Sequence, residues 1–284
     1  MLKIKLTLLV SAILILFGCG STSQMSTEKL TMGVVSYGNQ AKSVEKYEPL
    51  QRYLATQTNS IVELEPTYNE LQALEQIQRK RWSLVFAPPG IAAIAINEEQ
   101  YIPLFPLKGI GNREKSVLIV RKDSSIQNLV DLSNKKIALG EPGSATGYYL
   151  PLYDLYGLTL AKILFAPTPR EVLQLIQDGE VEAGALSEAE FAAHRFEFEA
   201  NFRILQKSRL IPSGLVISSP TIERNQQVNI SKYLKNAPAS IVSDAGYVVD
   251  AQLPEYAEFI KLVEKVKPLE KRVRQTPAVL TIDN

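Results

Sequence analysis

Short apolar strands alternate with amphipathic helices along most of this chain, and that alternation limits the fold more than any other feature. Leu30 to Ser36 reads as a strand that ends in the turn Tyr37-Gly38-Asn39. Val44 to Thr58 then sets Tyr47, Leu50, Tyr53 and Leu54 at helical spacing. Ile61 to Leu64 is a second strand, and Glu70 to Lys80 a second helix with Leu71, Leu74 and Ile77 on one face. Ser83 to Ala87 is a strand stopped by Pro88-Pro89-Gly90, and Ile91 to Ile96 opens another helix. Such a repeat predicts an α/β fold with a mostly parallel sheet covered on both faces.

A second unit of the same kind follows. Ser116 to Arg121 is a strand rich in β-branched residues, Asp123-Ser124-Ser125 starts a short helical segment, and Lys136 to Leu139 is a strand that runs into a Gly/Pro turn. Strands at 163–166, 181–186 and 203–206 alternate with helices at 169–178 and 187–199. Pro212-Ser213-Gly214 breaks the pattern before a strand at 215–218, and the tail offers helices near 228–236 and 255–266. Too few strands are left for a third sheet, so the tail is expected to return to the first unit. The expected architecture has two lobes, each a mostly parallel sheet flanked by helices, joined by crossing segments near 120 and 212. Residues 29–121 with 213–284 form lobe 1, and residues 122–212 lobe 2. A cleft between such lobes suits a small ligand, and the crossings suit a hinge.

The first residues carry a different message. Lys3 and Lys5 precede an apolar run from Leu6 to Phe17, followed by Gly18-Cys19. A positive flank, a short apolar core and a small residue mark an export signal. The run is well short of the ~20 residues a spanning helix needs. Cys19, the only cysteine in the chain, excludes an internal disulfide. It stands where bacterial lipoprotein signals are cleaved and lipidated, and the segment resembles such a lipobox. Residues 1–18 are read as the signal, and 19–28, rich in Ser and Thr, as a flexible tether. The 31 basic residues nearly balance the 30 acidic ones, so no global field favours nucleic acid.

Gly140 to Gly147 is the chemically sharpest segment. A strand ends, a Gly/Pro turn follows, and Ser144, Thr146 and Gly147 lead into a helix. Unpaired N–H groups, the helix dipole and two hydroxyls suit a phosphate-like or carboxylate anion. Ser144 or Thr146 acting as a helix cap explains the same residues equally well. No Lys follows the last glycine, which excludes a Walker A loop. Tyr37 lies after the first strand, either facing a ligand or closing a turn. Tyr148 and Tyr149 diverge by about 100° on a helix, so one of them should face the core. His194 sits on a helix surface with no nucleophile motif near it, and no spacing of His, Cys, Asp and Glu argues for a metal.

The run from Leu132 to Tyr148, with Glu141-Pro142-Gly143-Ser144-Ala145-Thr146-Gly147 at its centre, resembles the PhnD-like phosphate, phosphite and phosphonate-binding lipoproteins of ABC importers. Tyr47-Glu48-Pro49-Leu50, Lys115 to Arg121, Asp178 to Ala185 and Asp244-Ala245-Gly246-Tyr247 are similar to further family segments in the same order. The resemblance implies a type II periplasmic-binding-protein fold and an extracytoplasmic solute-binding protein. It implies a small oxyanion as ligand, an ABC permease as partner, no cofactor, no catalysis and a monomer held to the envelope by lipid on Cys19. Carried onto this chain, the ligand residues are Ser144, Ala145, Thr146, Gly147, Tyr37, Tyr148 and Thr168. The chain departs from the family at three places. Ala145 replaces the central Thr of the anion loop, Thr168 stands nearest to where a His is common, and Pro88-Pro89-Gly90 is followed by no Tyr. A ligand-sensing or interaction protein on the same fold, uncoupled from transport, is the alternative.

Overall fold

The computed structural model of the chain describes residues 29–35, 44–108 and 113–281. The expected signal and tether, Cys19 and Tyr37 lie outside the described residues. The first lobe is built from β1 (Lys29–Val35), α1 (Glu48–Thr58), β2 (Ile61–Thr67), α2 (Glu70–Gln78), β3 (Leu84–Ala87), α3 (Pro89–Asn97) and β4 (Ile102–Pro106). Prolines stand in the first turns of α1 and α3, where a missing N–H breaks no helical bond. Asn69 caps α2, its side chain accepting from Gln72 N at 2.9 Å.

After the short β5 (Arg113–Glu114), the second lobe comprises β6 (Ser116–Arg121), β7 (Lys136–Leu139), a π-turn (Ala145–Tyr149) continued by α4 (Leu150–Asp154), β8 (Thr159–Leu160), β9 (Lys162–Phe165), α5 (Pro169–Gln177), β10 (Ala183–Ser187), α6 (Glu188–His194) and β11 (Phe202–Lys207). The chain returns through β12 (Ile211–Pro212) to β13 (Leu215–Ser218), α7 (Arg224–Lys235), α8 (Ala239–Ala245), α9 (Ala257–Val266) and β14 (Ala278–Val279).

Two five-stranded sheets result, ordered β2-β1-β3-β13-β4 and β11-β6-β10-β7-β9. β1 pairs in parallel with β2 and β3, whereas β13 is antiparallel to β3 and β4. β7 pairs in parallel with β9 and β10, while β6 runs against β10 and β11. Parallel neighbours need helical crossovers, which α1, α2, α4 and α5 supply. The two crossings lie side by side, with Ile211 opposite Glu114 in an antiparallel pair.

The expected lobe boundaries move at two places. Ser116–Arg121, expected in lobe 1, is a central strand of the second sheet. Its residues are buried from Ser116 to Val120, so it needs a neighbour on each side, and β10 and β11 provide them. The tail, expected wholly in lobe 1, ends in lobe 2, where Ala278 pairs with Leu160. On the way α9 packs against α3 of the first lobe and α4 of the second. Its apolar face of Phe259, Leu262, Val263 and Val266 is buried there.

One apolar cluster therefore runs through both lobes and the tail, joining Trp82 and Ile91 to Ile137, Leu150, Phe259 and Leu280. Trp82, at the end of the basic cluster Arg79-Lys80-Arg81, is fully buried. It lies against Gly33, where a Cβ would fall 2.1 Å from its ring. The lobes also touch backbone to backbone. A Cβ on Gly90 at the start of α3 would lie 2.0 Å from the carbonyl oxygen of Gly143 in the second lobe. Gly143 itself has φ +103, a conformation that only glycine adopts readily.

Candidate functional site

A cavity of about 320 Å³ lies between the lobes. Its second-lobe wall is the Ser144–Gly147 turn with Pro167 and Thr168. Tyr47, Phe86, Pro88, Pro89 and Lys108 form the first-lobe wall, and Glu114 reaches it from the crossing.

The turn is held by its own bonds. Gly140 N donates to Gly147 O at 2.9 Å, and Ser144 N donates to Glu141 O at 3.1 Å. Ser144 caps the π-turn, its hydroxyl accepting from Gly147 N at 3.1 Å. Its carbonyl accepts from the N–H groups of Tyr148 and Tyr149. Ser116 on β6 donates its hydroxyl to the carbonyl of Thr146 at 2.5 Å, which ties the turn to the sheet. Among the described residues, no group accepts from the N–H of Ala145 or Thr146. Those two N–H groups and the hydroxyl protons of Ser144 and Thr146 are the donors the turn leaves for a guest.

The expected site residues divide into groups. Ser144, Ala145, Thr146, Gly147 and Thr168 all line the cavity. Thr168 also caps α5, its hydroxyl accepting from Glu171 N at 3.3 Å. Tyr148 does not line the cavity. It is fully buried, 5.1 Å from the Tyr149 ring and 6.2 Å from the Phe165 ring, with a hydroxyl that has no partner. Tyr149 is buried as well, its hydroxyl accepting from Gly143 N at 3.2 Å. One of the two was expected to face the core; both do, with α9 packed against the π-turn and α4. His194 pairs with Glu197 at 2.8 Å, away from the cavity.

Of the acids, sequence reasoning reaches only Glu141, which stands beside the anion turn. Glu70, Glu114, Glu141 and Glu190 line the same cavity, with Lys108 as the one cation among the described lining residues. Burial raises the pKa of Glu114, and the nearby Glu190 charge adds to it. Burial also raises Glu190, against two hydrogen bonds from Ser187 that favour its carboxylate. Glu141 is raised by burial and opposed by Arg274, and its Oε2 atom is sealed without a partner. Helical spacing gives no sign of Glu190, which looks like any exposed acid on α6, and Glu114 depends on where the crossing runs. Among the described residues no cluster of His, Cys, Asp and Glu could hold a metal ion, and no helix is long and apolar enough to cross a membrane.

Comparison with known proteins adds the family. A family model described as the periplasmic substrate-binding protein of phosphonate ABC transporters matches residues 32–262. Among solved structures, a Xanthomonas citri protein bound to ATP is similar at 19% identity and a TM-score of 0.70, covering 85% of this chain and 98% of its own. PhnD1 from Prochlorococcus marinus, in complex with methylphosphonate, is similar at 17% identity and 0.68, covering 85% and 99%. A binding-protein component of an ABC phosphonate transporter from Pseudomonas aeruginosa follows at 15% and 0.63, covering 87% and 98%. At such identities the solved structures show a shared two-lobed fold. No curated protein sequence matches the chain.

Proposed function

The chain belongs to the family of periplasmic substrate-binding proteins of phosphonate ABC transporters, and from that premise we propose that its interlobe cleft takes a small oxyanion of the phosphate, phosphite or phosphonate type. Membership makes it an exported, non-enzymatic carrier that delivers a small solute to a membrane permease. The observation that carries the oxyanion reading is the Ser144–Gly147 turn facing the cavity with the N–H groups of Ala145 and Thr146 unaccepted. Such groups at a helix start favour an anion without a full countercharge, so the ligand stays releasable. Methylphosphonate is the ligand of the Prochlorococcus structure, which makes it the first to try here.

In this reading Ser144, Ala145, Thr146, Gly147 and Thr168 hold the anion, and Ser144 does so while capping the turn. Tyr37 belongs to the same proposal through the family resemblance. Tyr148, buried against Tyr149 and Phe165, supports the turn rather than touching the anion. The carboxylates shape the rest of the cavity. Burial makes Glu114 and Glu190 easier to protonate, and a protonated carboxyl donates to an anion where a carboxylate repels it. A lipid on Cys19 would tether the monomer to the membrane surface beside its permease, with residues 19–28 as slack.

Thermal stabilisation of the purified protein tests the ligand class. Phosphate, phosphite, methylphosphonate, sulfate and small carboxylates would be compared. A ligand at 100 times its dissociation constant stabilises by about 2.7 kcal/mol. A shift with one phosphorus oxyanion that disappears in the double variant Ser144→Ala, Thr146→Ala is the expected result. No shift with any anion would refute the oxyanion reading. Mass spectrometry of the membrane fraction, with Cys19→Ser as control, checks the lipid.

A further inference from the structure

The first-lobe wall of the cleft holds a hydroxyl that no contact among the described residues accounts for. Tyr47 stands at the cap of α1 and is 7% exposed. Its ring belongs to the first-lobe core with Val34, Leu50 and Tyr247, 4.9 Å from the Phe86 ring and inclined at 60°. Its backbone is engaged, the N–H donating to Val44 O and the carbonyl accepting from Gln51 N, each at 2.9 Å. The phenolic oxygen bonds no described group, and it is not among the polar atoms sealed from solvent. Tyr47 is one of the residues that line the interlobe cavity.

Four other tyrosines give their phenol a backbone carbonyl, whereas Tyr148 is sealed without one. Tyr53 donates to Tyr233 O at 3.2 Å, Tyr101 to Trp82 O at 3.1 Å, Tyr247 to Leu234 O at 2.8 Å and Tyr256 to Ser213 O at 2.5 Å. A polar group deprived of water and of a partner destabilises the fold, and in those four a backbone carbonyl removes that cost. Tyr47 has no such carbonyl. Burial lifts its hydroxyl to about 12, so it keeps its proton and can only gain by donating. Lys46 lies over the same ring, its Nζ 4.9 Å from the centroid, and no described carboxylate pairs with it. Burial lowers the Lys46 pKa, so its charged form would gain from an anion nearby.

We propose that Tyr47 is a solute-contacting residue whose hydroxyl donates to an oxygen of the bound anion from the first-lobe side, with the Lys46 charge adding attraction over the ring. The assignment rests on the reading of the cleft as an anion site. It gives the solute a donor on each lobe, the Ser144–Gly147 turn on one and Tyr47 on the other. A solute that bonds both lobes favours the closed arrangement over an open one by its differential contacts.

The test compares wild type with Tyr47→Phe in the full chain, by calorimetric titration with phosphate, phosphite and methylphosphonate and by thermal unfolding without ligand. Phe keeps the ring against Phe86 and removes only the hydroxyl. The expected result is an affinity about tenfold weaker for the anion that wild type binds, with the ligand-free midpoint unchanged or raised. Equal affinity in the two proteins would overturn the assignment while leaving the oxyanion reading intact. A ligand-free midpoint that falls in Tyr47→Phe would overturn it too, because the hydroxyl would then be holding the fold. Failure of wild type to bind any of the three would refute the assignment and the oxyanion reading together.

Discussion

The two walls of the cleft are held in different ways. The second-lobe wall is a turn fixed by hydrogen bonds, from Gly140 to Gly147, from Ser116 to Thr146 and from Gly147 to Ser144. The first-lobe wall is fixed by packing, with Tyr47 against Phe86 and the prolines at 88 and 89 setting the start of α3. A hydrogen-bonded turn presents donors in a set direction. A packed wall presents shape, with Tyr47 and Lys108 as donors among its described residues. Specificity for the anion's geometry should therefore reside in the second lobe, and the fit of whatever the anion carries in the first.

That contrast can be broken by substitution. The largest effect is expected at Trp82, which serves the packing of both walls from within the shared core. Trp82→Ala should cost about 3–5 kcal/mol of stability through the cavity it leaves, measured by denaturant unfolding. Gly90→Ala is next. Its Cβ would collide with the Gly143 carbonyl, so the lobes cannot meet as they do here. Affinity for the anion should fall by about a hundredfold, close to 2.7 kcal/mol, with a smaller loss of stability. If affinity survives while stability collapses, the contact serves folding and not closure. Ser144→Ala should cost about 1 kcal/mol of stability by removing a cap, and should weaken anion binding more than Thr168→Ala, which removes a cap at the cavity edge. Equal losses of affinity would mean the donors are not concentrated in the turn.

The smallest effect is that of pH. Burial raises the folded-state pKa of Glu114 and of Glu190, so both are protonated over a pH range where ordinary carboxylates are charged. Each favours the protonated form when folded, so their contribution to stability is full below the unfolded carboxylate pKa and is lost as pH rises through the raised values. Anion affinity should follow the same direction, rising a few-fold as pH falls through that window, and Glu190→Gln should flatten the profile in titrations at several pH values. An affinity that rises with pH would mean that Glu114 and Glu190 do not govern anion binding.

Much of the fold was legible because strands and helices announce themselves by period. β1, β3, β7 and α5 fall where the apolar spacing puts them, and the Gly/Pro turn before the π-turn marks the cavity wall. The membership of β6 was not legible. A buried apolar strand looks the same whichever sheet it joins, and only its pairing with β10 and β11 assigns it. Nor was the inward turn of Tyr148, since a helix start read as α rather than π points its side chains differently. Tyr47 was legible as a core position and not as a donor to the cleft, for a tyrosine's ring and hydroxyl can face different environments.

The sequence by itself determined the α/β class, the two-lobed organisation and the turn from Gly140 to Gly147, because each depends on neighbours in the chain. Tertiary structure alone decided which acids reach the cavity, which tyrosine hydroxyls lack a carbonyl, and that α9 and β14 bind the lobes together. Those facts depend on residues far apart in sequence brought within a few ångströms. Local periodicity carries no information about such distances.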